Sequence, residues 1–598
     1  MFTISICLMS PKVYSPGRLF RSLFSVLSIV VVFVFSQCTG KDPLPPGDPD
    51  NGGLYLPDGF EAVVVVDSIG RARHLAVSDA GDIYVKLRAP ESKGIVALRD
   101  TDNDGKADSI VVFGDYPDQG NYGTGMRIYN GYLYFSTAGE VYRTKLTPGE
   151  FIPQGEVELI LTDDYKNAPL GYEHIAKPLT FDDDGHMYVP FGSPGDVCQE
   201  FNRKPGAPGL DPCPELERHG GIWQFDANKL NQTQDDGKLY STGIRSVVAM
   251  DWNHEDNTLY ALQHGRDNMS RYDPEVFSAY QSAIFPSEEF FRVTEGSDFG
   301  WPYYYYDFIQ EKKLLNPEYG GDGRKEGRGA EYDQPIIGFP GHWAPNDLYF
   351  YEGDQFPERY KNGAFIAFHG STIRAPYPQS GYFVAFVPFE DGAPSGPWEV
   401  FADGFAGVDT IVNTRDAKAR PMGISMGPDG SLYITESVKG KIWRIMYKGD
   451  KENFGEAQLA KMEERKTTQP HIRHPDEIED NLEKDKVEAG AQLYNLYCAA
   501  CHLRDGKGDG GRFPTLSNTD WVTGNKSRLI DVVMNGLEGP ITVNGQQFNG
   551  IMPPHGFLKD AELASLLTYV RQSFGNNASS IYPDEVARVR NAPKTESQ

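Results

Sequence analysis

Cys498-Ala-Ala-Cys501-His502 has the spacing of a covalent haem c attachment site, in which two thiols add to the haem vinyl groups and the adjoining imidazole ligates the iron. No second cysteine pair follows to complete a zinc site, and no βαβ pattern surrounds the run as a redox dithiol would require. A second axial ligand is expected downstream. Met552, in Gly550-Ile-Met-Pro-Pro554, is the candidate, and the prolines on its C-terminal side stiffen the segment. Met534 and His555 are the competing ligands.

A different chemistry is written in Asp100-Thr-Asp102-Asn-Asp104-Gly-Lys-Ala-Asp108, whose carboxylates at alternate positions before a glycine suit a hard cation such as Ca²⁺. The twelfth position is Val111 rather than a bidentate glutamate, which excludes a helix-loop-helix hand. The alternatives are a structural calcium in a turn and an unmetallated Asp/Gly hairpin.

The haem ligands need helices to hold them. Glu488–Tyr497 has the apolar spacing of an amphipathic helix leading into the attachment site, and Leu558–Arg571 that of a closing helix. With Gly506-Lys-Gly-Asp-Gly-Gly-Arg-Phe-Pro514 between them, the segment resembles a class I cytochrome c, which implies that the carbonyl of Pro514 steadies the His502 ring. Upstream, a strand signal recurs at Asp82–Val85, Tyr132–Phe135, His186–Val189, Thr258–Ala261, Ala364–Ala367 and Ser431–Ile434, each after a turn-like stretch. Second strands follow at Gly139–Arg143 and Gly440–Arg444. Six such units imply a six-bladed β-propeller with a central channel, and the long interval from 258 to 364, which contains Trp301–Asp307, implies an insertion on one face.

Several runs within 54–447 resemble the soluble glucose dehydrogenase and L-sorbosone dehydrogenase superfamily, six-bladed propellers that use pyrroloquinoline quinone and Ca²⁺. Gly171-Tyr-Glu173-His174 resembles the segment that carries the catalytic base, Thr242-Gly-Ile-Arg245 an arginine segment, and Gln263-His-Gly265-Arg266 the turn whose carbonyls hold calcium. Ala367-Phe-His369-Gly-Ser371 with Arg374, and Arg420-Pro-Met-Gly, resemble the last two blades. The resemblance implies His174 as base for the substrate hydroxyl, with Glu173 orienting it, since neutral imidazole is suited to that proton. It further implies cofactor contacts from Arg245, His369, Arg374 and Arg420, and calcium contacts from the Gly265 and Arg266 carbonyls. Two departures stand out, Ser246 where the family has asparagine and Arg266 where some relatives have proline.

The chain of 598 residues has a formal charge of −27, and −30 without residues 1–37, which excludes nucleic acid as a partner. Lys12, Arg18 and Arg21 precede the apolar run Leu23–Phe35, the pattern of a signal peptide, and Cys38 follows where a bacterial lipoprotein would be acylated. Membrane association is therefore expected only through a lipid anchor, at the periplasm or cell surface. Cys198 and Cys213 remain after the haem, signal and anchor cysteines are assigned, and outside the cytoplasm they are expected to form a disulfide rather than stay as thiols.

The resulting organisation is mainly β: signal peptide 1–37, tether 38–53, propeller 54–447, linker 448–483, a small all-α cytochrome c domain 484–576 and a tail 577–598. His471 and His474 in the linker are expected to face solvent. The function implied is a quinohaemoprotein dehydrogenase that takes electrons from a small sugar or related alcohol or aldehyde, through pyrroloquinoline quinone and haem c, to an external one-electron acceptor. The alternative is a glycan- or protein-binding propeller that carries an electron-transfer cytochrome.

Overall fold

The computed structural model describes residues 44–88, 94–117, 124–165, 173–375, 377–472 and 475–592. The expected signal peptide, Cys38, Gly171, Tyr172 and His474 lie outside the described residues.

Six sheets of four principal strands form the propeller. In chain order the first five blades span residues 72–113, 126–162, 180–242, 247–339 and 345–402. The sixth combines Pro421–Met426, Leu432–Glu436 and Ile442–Tyr447 with Phe60–Val66 from the other end of the domain, paired antiparallel from Phe60 opposite Tyr447. This pairing closes the ring and removes the sheet edges that an open array would expose. All six recurring strand signals fall on the second strand of a blade, where both faces are covered and the residues are almost continuously apolar. Between blades, aromatic side chains interlock edge to face. Phe60 meets Phe356, Tyr360, Phe401 and Tyr447 with ring centroids 4.8–5.3 Å apart. Each such buried ring contributes about 1.5–3 kcal/mol through area removed from water.

Leu44–Gly53 is not the free tether expected. The Gly47 amide donates to Glu61 Oε2 at 3.0 Å, Val64 to Asp48 Oδ2 at 2.8 Å and Ala62 to Asn51 Oδ1 at 3.0 Å, so side chains of this segment satisfy the outer edge of the closing strand. The linker is anchored too. Helix Glu456–Thr468 buries Leu459 and Met462, and the Lys466 ammonium lies 3.9 Å from the Trp398 ring. His471 is buried rather than solvent-facing, because its Nε2 donates to Asp403 at 2.8 Å beside Arg465, which also pairs with Asp403.

The haem-binding domain begins with helix Pro475–Tyr497, earlier than expected, and packs it on the closing helix Asp560–Gln572. It is not purely helical. Strands Leu537–Val543 and Gln546–Met552 form a hairpin whose turn residues Asn544 and Gly545 have φ of 49° and 82°, as a two-residue type I′ turn requires. The expected tail contains helix Pro583–Arg590, with Val586 fully buried in the domain core.

Each blade starts at its innermost strand and reverses direction at every turn, so one end of the channel collects the N-terminal ends of the innermost strands and the C-terminal ends of the second strands. Arg73, His174, Arg245, His342 and Arg420 sit at ends of the first kind, and Ser193, His264, His369 and Ser437 at ends of the second. The blade-four insertions carry helices Met269–Tyr272 and Ala279–Ile284 and the hairpin Tyr304–Asp307/Lys312–Leu315.

Candidate active site

His174 leads into the innermost strand of blade three. Its Nδ1 donates to the Ser193 carbonyl at 2.8 Å and lies 2.9 Å from Ser193 Oγ, which itself donates to the Gly195 carbonyl at 2.6 Å. That contact fixes the Nδ1–H tautomer and turns the Nε2 lone pair outward. Burial, and next the Arg245 charge, lower the His174 pKa to about 3, so the ring is neutral throughout the physiological range. The Cα of Gly192 faces this histidine so closely that an added Cβ would stand 2.4 Å from its carbonyl oxygen. Glu173 does not orient the ring. It turns away to Asn202 Nδ2 at 3.0 Å and Arg203 Nη2 at 2.9 Å, and the Ser193 backbone does the orienting.

Arg245 is fully engaged. Its Nε and Nη2 reach Asp196 Oδ1 at 2.8 and 2.7 Å, Nη2 lies 3.3 Å from Asp267 Oδ2, and Nη1 donates to the Gly265 carbonyl at 2.7 Å. Burial would raise the Asp196 carboxyl, but Arg245, Arg266 and Arg203 together hold it below its ordinary value. Two expectations change as a result. Arg245 is not a free cation for a cofactor carboxylate, and the Gly265 carbonyl expected on calcium already accepts from a guanidinium. The Arg266 side chain is likewise committed, in a buried fork with Glu318 at 2.8 and 2.7 Å.

Arg374 is a strut. Fully buried, it donates through Nε to the Pro378 carbonyl at 2.9 Å and through Nη1 to the Ala283 carbonyl at 2.5 Å, which ties blade five to helix Ala279–Ile284. His369 and Arg420 meet at the channel mouth. The Arg420 guanidinium donates to the carbonyls of His369 and Gly370, and His369 Nε2 lies 2.7 Å from Ser437 Oγ. Burial, with Arg420 next, pushes the His369 pKa well down. Burial also lowers that of Arg420, with Tyr382 opposing and Arg88 adding like charge, and among the described residues no ion pair joins this guanidinium to a carboxylate. An under-compensated buried cation at a cleft is what an anionic ligand requires, so this side of the mouth fits a polycarboxylate.

Three groups at the mouth were missed from sequence. Asp196 lies in a loop with no motif, and His264 sits inside the Gln263–Arg266 turn, where the resemblance points to the carbonyls of Gly265 and Arg266 rather than to this ring. Glu288, at a strand start, has its carboxyl raised to about 7 by burial while it accepts from the amides of Gly265 at 3.0 Å and Ala344 at 3.2 Å.

In the C-terminal domain, Cys498, His502 and Met552 line one apolar cavity with Leu529, Val533 and Leu567. His502 Nδ1 donates to the Pro514 carbonyl at 3.0 Å, as expected, which leaves Nε2 for a metal. Met534 and His555 do not line this cavity, and the hairpin end places Met552 there. The residues fit a haem.

Asp100, Asp102 and Asp108 bring carboxylate oxygens within 4.8 Å of one another, whereas Asp104 turns back to the Lys106 amide at 2.8 Å. Cys198 and Cys213 form a disulfide, as expected.

Residues 54–448 match the TrAA12-like family and residues 487–574 the cytochrome c family. Over 91 residues, 14% of this chain and 69% of the relative, the C-terminal domain is 36% identical to cytochrome c-552 of Thermus thermophilus. The fructose dehydrogenase cytochrome subunit of Gluconobacter japonicus is 34% identical over 18% of this chain and 22% of its own length. An uncharacterised Borreliella burgdorferi protein is 26% identical over 35% of this chain, which spans about half of that relative. Among solved structures, a Trichoderma reesei protein of carbohydrate-active family AA12, in a calcium structure, superposes with a TM-score of 0.53 at 17% identity, over 66% of this chain and 97% of its own. The PQQ domain of pyranose dehydrogenase from Coprinopsis cinerea gives 0.52 at 16%, over 68% and 98%.

Proposed function

The chain belongs to the TrAA12-like family through residues 54–448 and to the cytochrome c family through residues 487–574, and from that premise we propose that it is a quinohaemoprotein dehydrogenase acting on a sugar or related alcohol or aldehyde. The observation that carries the reading is the pairing, at one channel mouth, of an oriented neutral imidazole, His174, with an under-compensated cation, Arg420. Pyrroloquinoline quinone, with calcium in the cofactor set, supplies a two-electron acceptor that no side chain of the protein can replace. Arg420 and His369 would hold it, Arg420 through charge and His369 through its ring edge.

His174 Nε2 accepts the proton of the substrate hydroxyl, and because Nδ1–H stays on the Ser193 carbonyl the ring does not turn as it becomes charged. Asp196 lies close enough to stabilise the imidazolium that forms, since it already acts on His174 against the charge of Arg245. Arg245, locked to Asp196 and Asp267, shapes the wall rather than binding the cofactor. Cys498, Cys501, His502 and Met552 would hold haem c, which would supply a one-electron carrier toward an external acceptor. The −30 charge of the chain without residues 1–37 favours a basic one.

The test is the absorbance of the haem after sugars are added to protein reconstituted with the quinone and Ca²⁺. Reduction by one class of sugar supports the enzyme. A silent haem across aldoses, ketoses, aldehydes and sugar acids favours the binding module. Export with acylation at Cys38 completes the proposal and is supported by the basic-then-apolar segment before it. Wild type should partition with membranes and Cys38→Ser should be released.

A further inference from the structure

The haem domain is held to the propeller where the chain crosses over and again by contacts far along the sequence. Ile472 is buried in a propeller cluster with Phe339, Trp343 and Phe383, and only two residues separate it from the first helix of the haem domain at Pro475. The later contacts lie at the opposite end of that domain, in the segment past the match to cytochrome c, which stops at 574. There the Arg324 guanidinium, on the blade-four insertion, lies 3.6 Å from the Tyr582 ring and 3.0 Å from Asp584 Oδ1, at the start of helix Pro583–Arg590. A further ion pair, Lys559 to Glu275 at 3.1 Å, joins the same insertion to the closing helix.

One attachment lets a domain swing, whereas two fix its orientation. Between these points the facing surfaces meet where helix Ala279–Ile284 contacts helix Pro475–Tyr497, and beside that contact they are parted by a cleft of about 590 Å³, lined on the propeller side by Val276 and Phe277 and on the other by Leu493 and Ala564. Because the cleft interrupts the packing between the domains, the rim contacts help to decide whether they stay together. Arg324 is the central contact, since it makes both a cation–π and an ionic interaction with one segment. On the propeller side the docked surface is continuous with the channel mouth. Helix Ala279–Ile284 contacts helix Pro475–Tyr497, while Arg374 holds its Ala283 carbonyl and His342 Nε2 donates to the carbonyls of Ser282 at 2.9 Å and Phe285 at 3.1 Å.

We infer that the C-terminal extension, residues 577–592, is a docking element that clasps the haem domain onto the blade-four insertion through Tyr582 and Asp584. Electrons then cross within the chain in one fixed geometry and not through encounters of a tethered domain. The kinetic half of this inference rests on the dehydrogenase reading above, and the docking half does not.

The test uses the full-length holoprotein with Arg324→Glu, Lys559→Glu and the pair Arg324→Glu/Asp584→Arg. Solution X-ray scattering reads docking without any substrate. The wild type should give one compact form, Arg324→Glu a longer maximum dimension, and the charge-swapped pair a return toward the compact form. With a verified sugar, Arg324→Glu should slow haem reduction by about tenfold or more while reduction of a two-electron dye at the propeller stays unchanged, because a clasp of this kind shifts the docked population by that order. The haem potential should not move. Identical scattering curves for all three variants and the wild type would overturn the inference, as would an undiminished rate of haem reduction in Arg324→Glu. If no sugar reduces the wild-type haem, the dehydrogenase reading fails and scattering still decides the docking.

Discussion

Nδ1 of His174 stands 2.8 Å from the carbonyl oxygen of Ser193, so the backbone of the neighbouring loop, and not a carboxylate, chooses which nitrogen of this ring faces the channel. His174→Ala should therefore lose about 10²- to 10⁴-fold in kcat for substrate-driven haem reduction, the usual contribution of a positioned base, with little change in cofactor affinity. Glu173→Gln should stay within about threefold of wild type, since Glu173 pairs with Asn202 and Arg203 at the rim, where such pairs contribute little. Steady-state kinetics of the two variants separate the roles. Full turnover in His174→Ala would transfer the base to His369.

Met552 shares an apolar cavity with His502. Met552→His should keep covalent haem and lower its potential by a sizeable share of the roughly 0.8 V span that axial ligands command. Cys498→Ala with Cys501→Ala should lose the attachment itself. Redox titration followed by denaturing gels with haem staining reads both outcomes, and an unchanged potential would remove Met552 from the iron.

Stability should fall on acidification from pH 6.5. Burial pushes the pKa of His74, His174, His219, His264, His342 and His369 down, to about 3 for His174 and about 4 for His219 and His264. The unfolded chain takes up these protons below its ordinary pKa of about 6.5 and the folded chain does not, so stability is intact above 6.5 and drains away below it. Burial acts in the opposite sense through Glu215 and Glu288, raised to about 7, and Asp251 and Asp273, raised to about 6, since the folded state keeps those protons longer. Burial raises Asp298 and Asp307 as well, and against these six carboxyls the six histidines leave a net slope of at most about 1–3 kcal/mol per pH unit near pH 5.5, because they take up protons in the unfolded chain at a higher pH than the carboxyls do. Calorimetry should give a lower Tm at pH 5 than at pH 7, and an equal or higher one would contradict the assignment.

Reduction of Cys198–Cys213 should destabilise the blade-three loop by about 3 kcal/mol, the chain-entropy value for a closed loop of this size. Because Asp196 sits two residues before Cys198 and holds Arg245, the loss should also raise KM. Comparing Tm and KM with and without reductant, and in Cys198→Ser/Cys213→Ser, tests the link.

Much of the fold was legible because it repeats. The second strand of every blade is buried on both faces and announces itself as a short apolar run after a turn, whereas the innermost strands at 126–129 and 180–181 are too short to do so. The haem ligands were legible because covalent attachment demands fixed spacing. His174 was found through resemblance, but its partner was not, since a backbone carbonyl leaves no trace in residue type. Arg374 misled for a related reason. A guanidinium that braces a loop through carbonyls and one that binds an anion are the same letter, and only the surroundings tell them apart. The Asn544-Gly545 turn was a readable hairpin signal that the helical expectation for this domain obscured. His471 took its burial from Asp403, 68 residues away, a contact that no local pattern records.

The pairing of Phe60–Val66 with Ile442–Tyr447 sets a timetable for folding. The first strand of the ring must wait, with one edge unpaired, until nearly 380 more residues exist, so most of the native contacts are of long range and closure comes late and slowly. Until then each nascent blade presents an apolar flank to whatever is near, which makes the interval before closure the stage most open to aggregation and most dependent on assistance. Substitutions at the seam, such as a proline at Val63, should therefore harm yield out of proportion to their effect on the finished ring. Those in the haem domain, whose paired first and closing helices Pro475–Tyr497 and Asp560–Gln572 lie far closer in sequence than the two strands of the seam, should not.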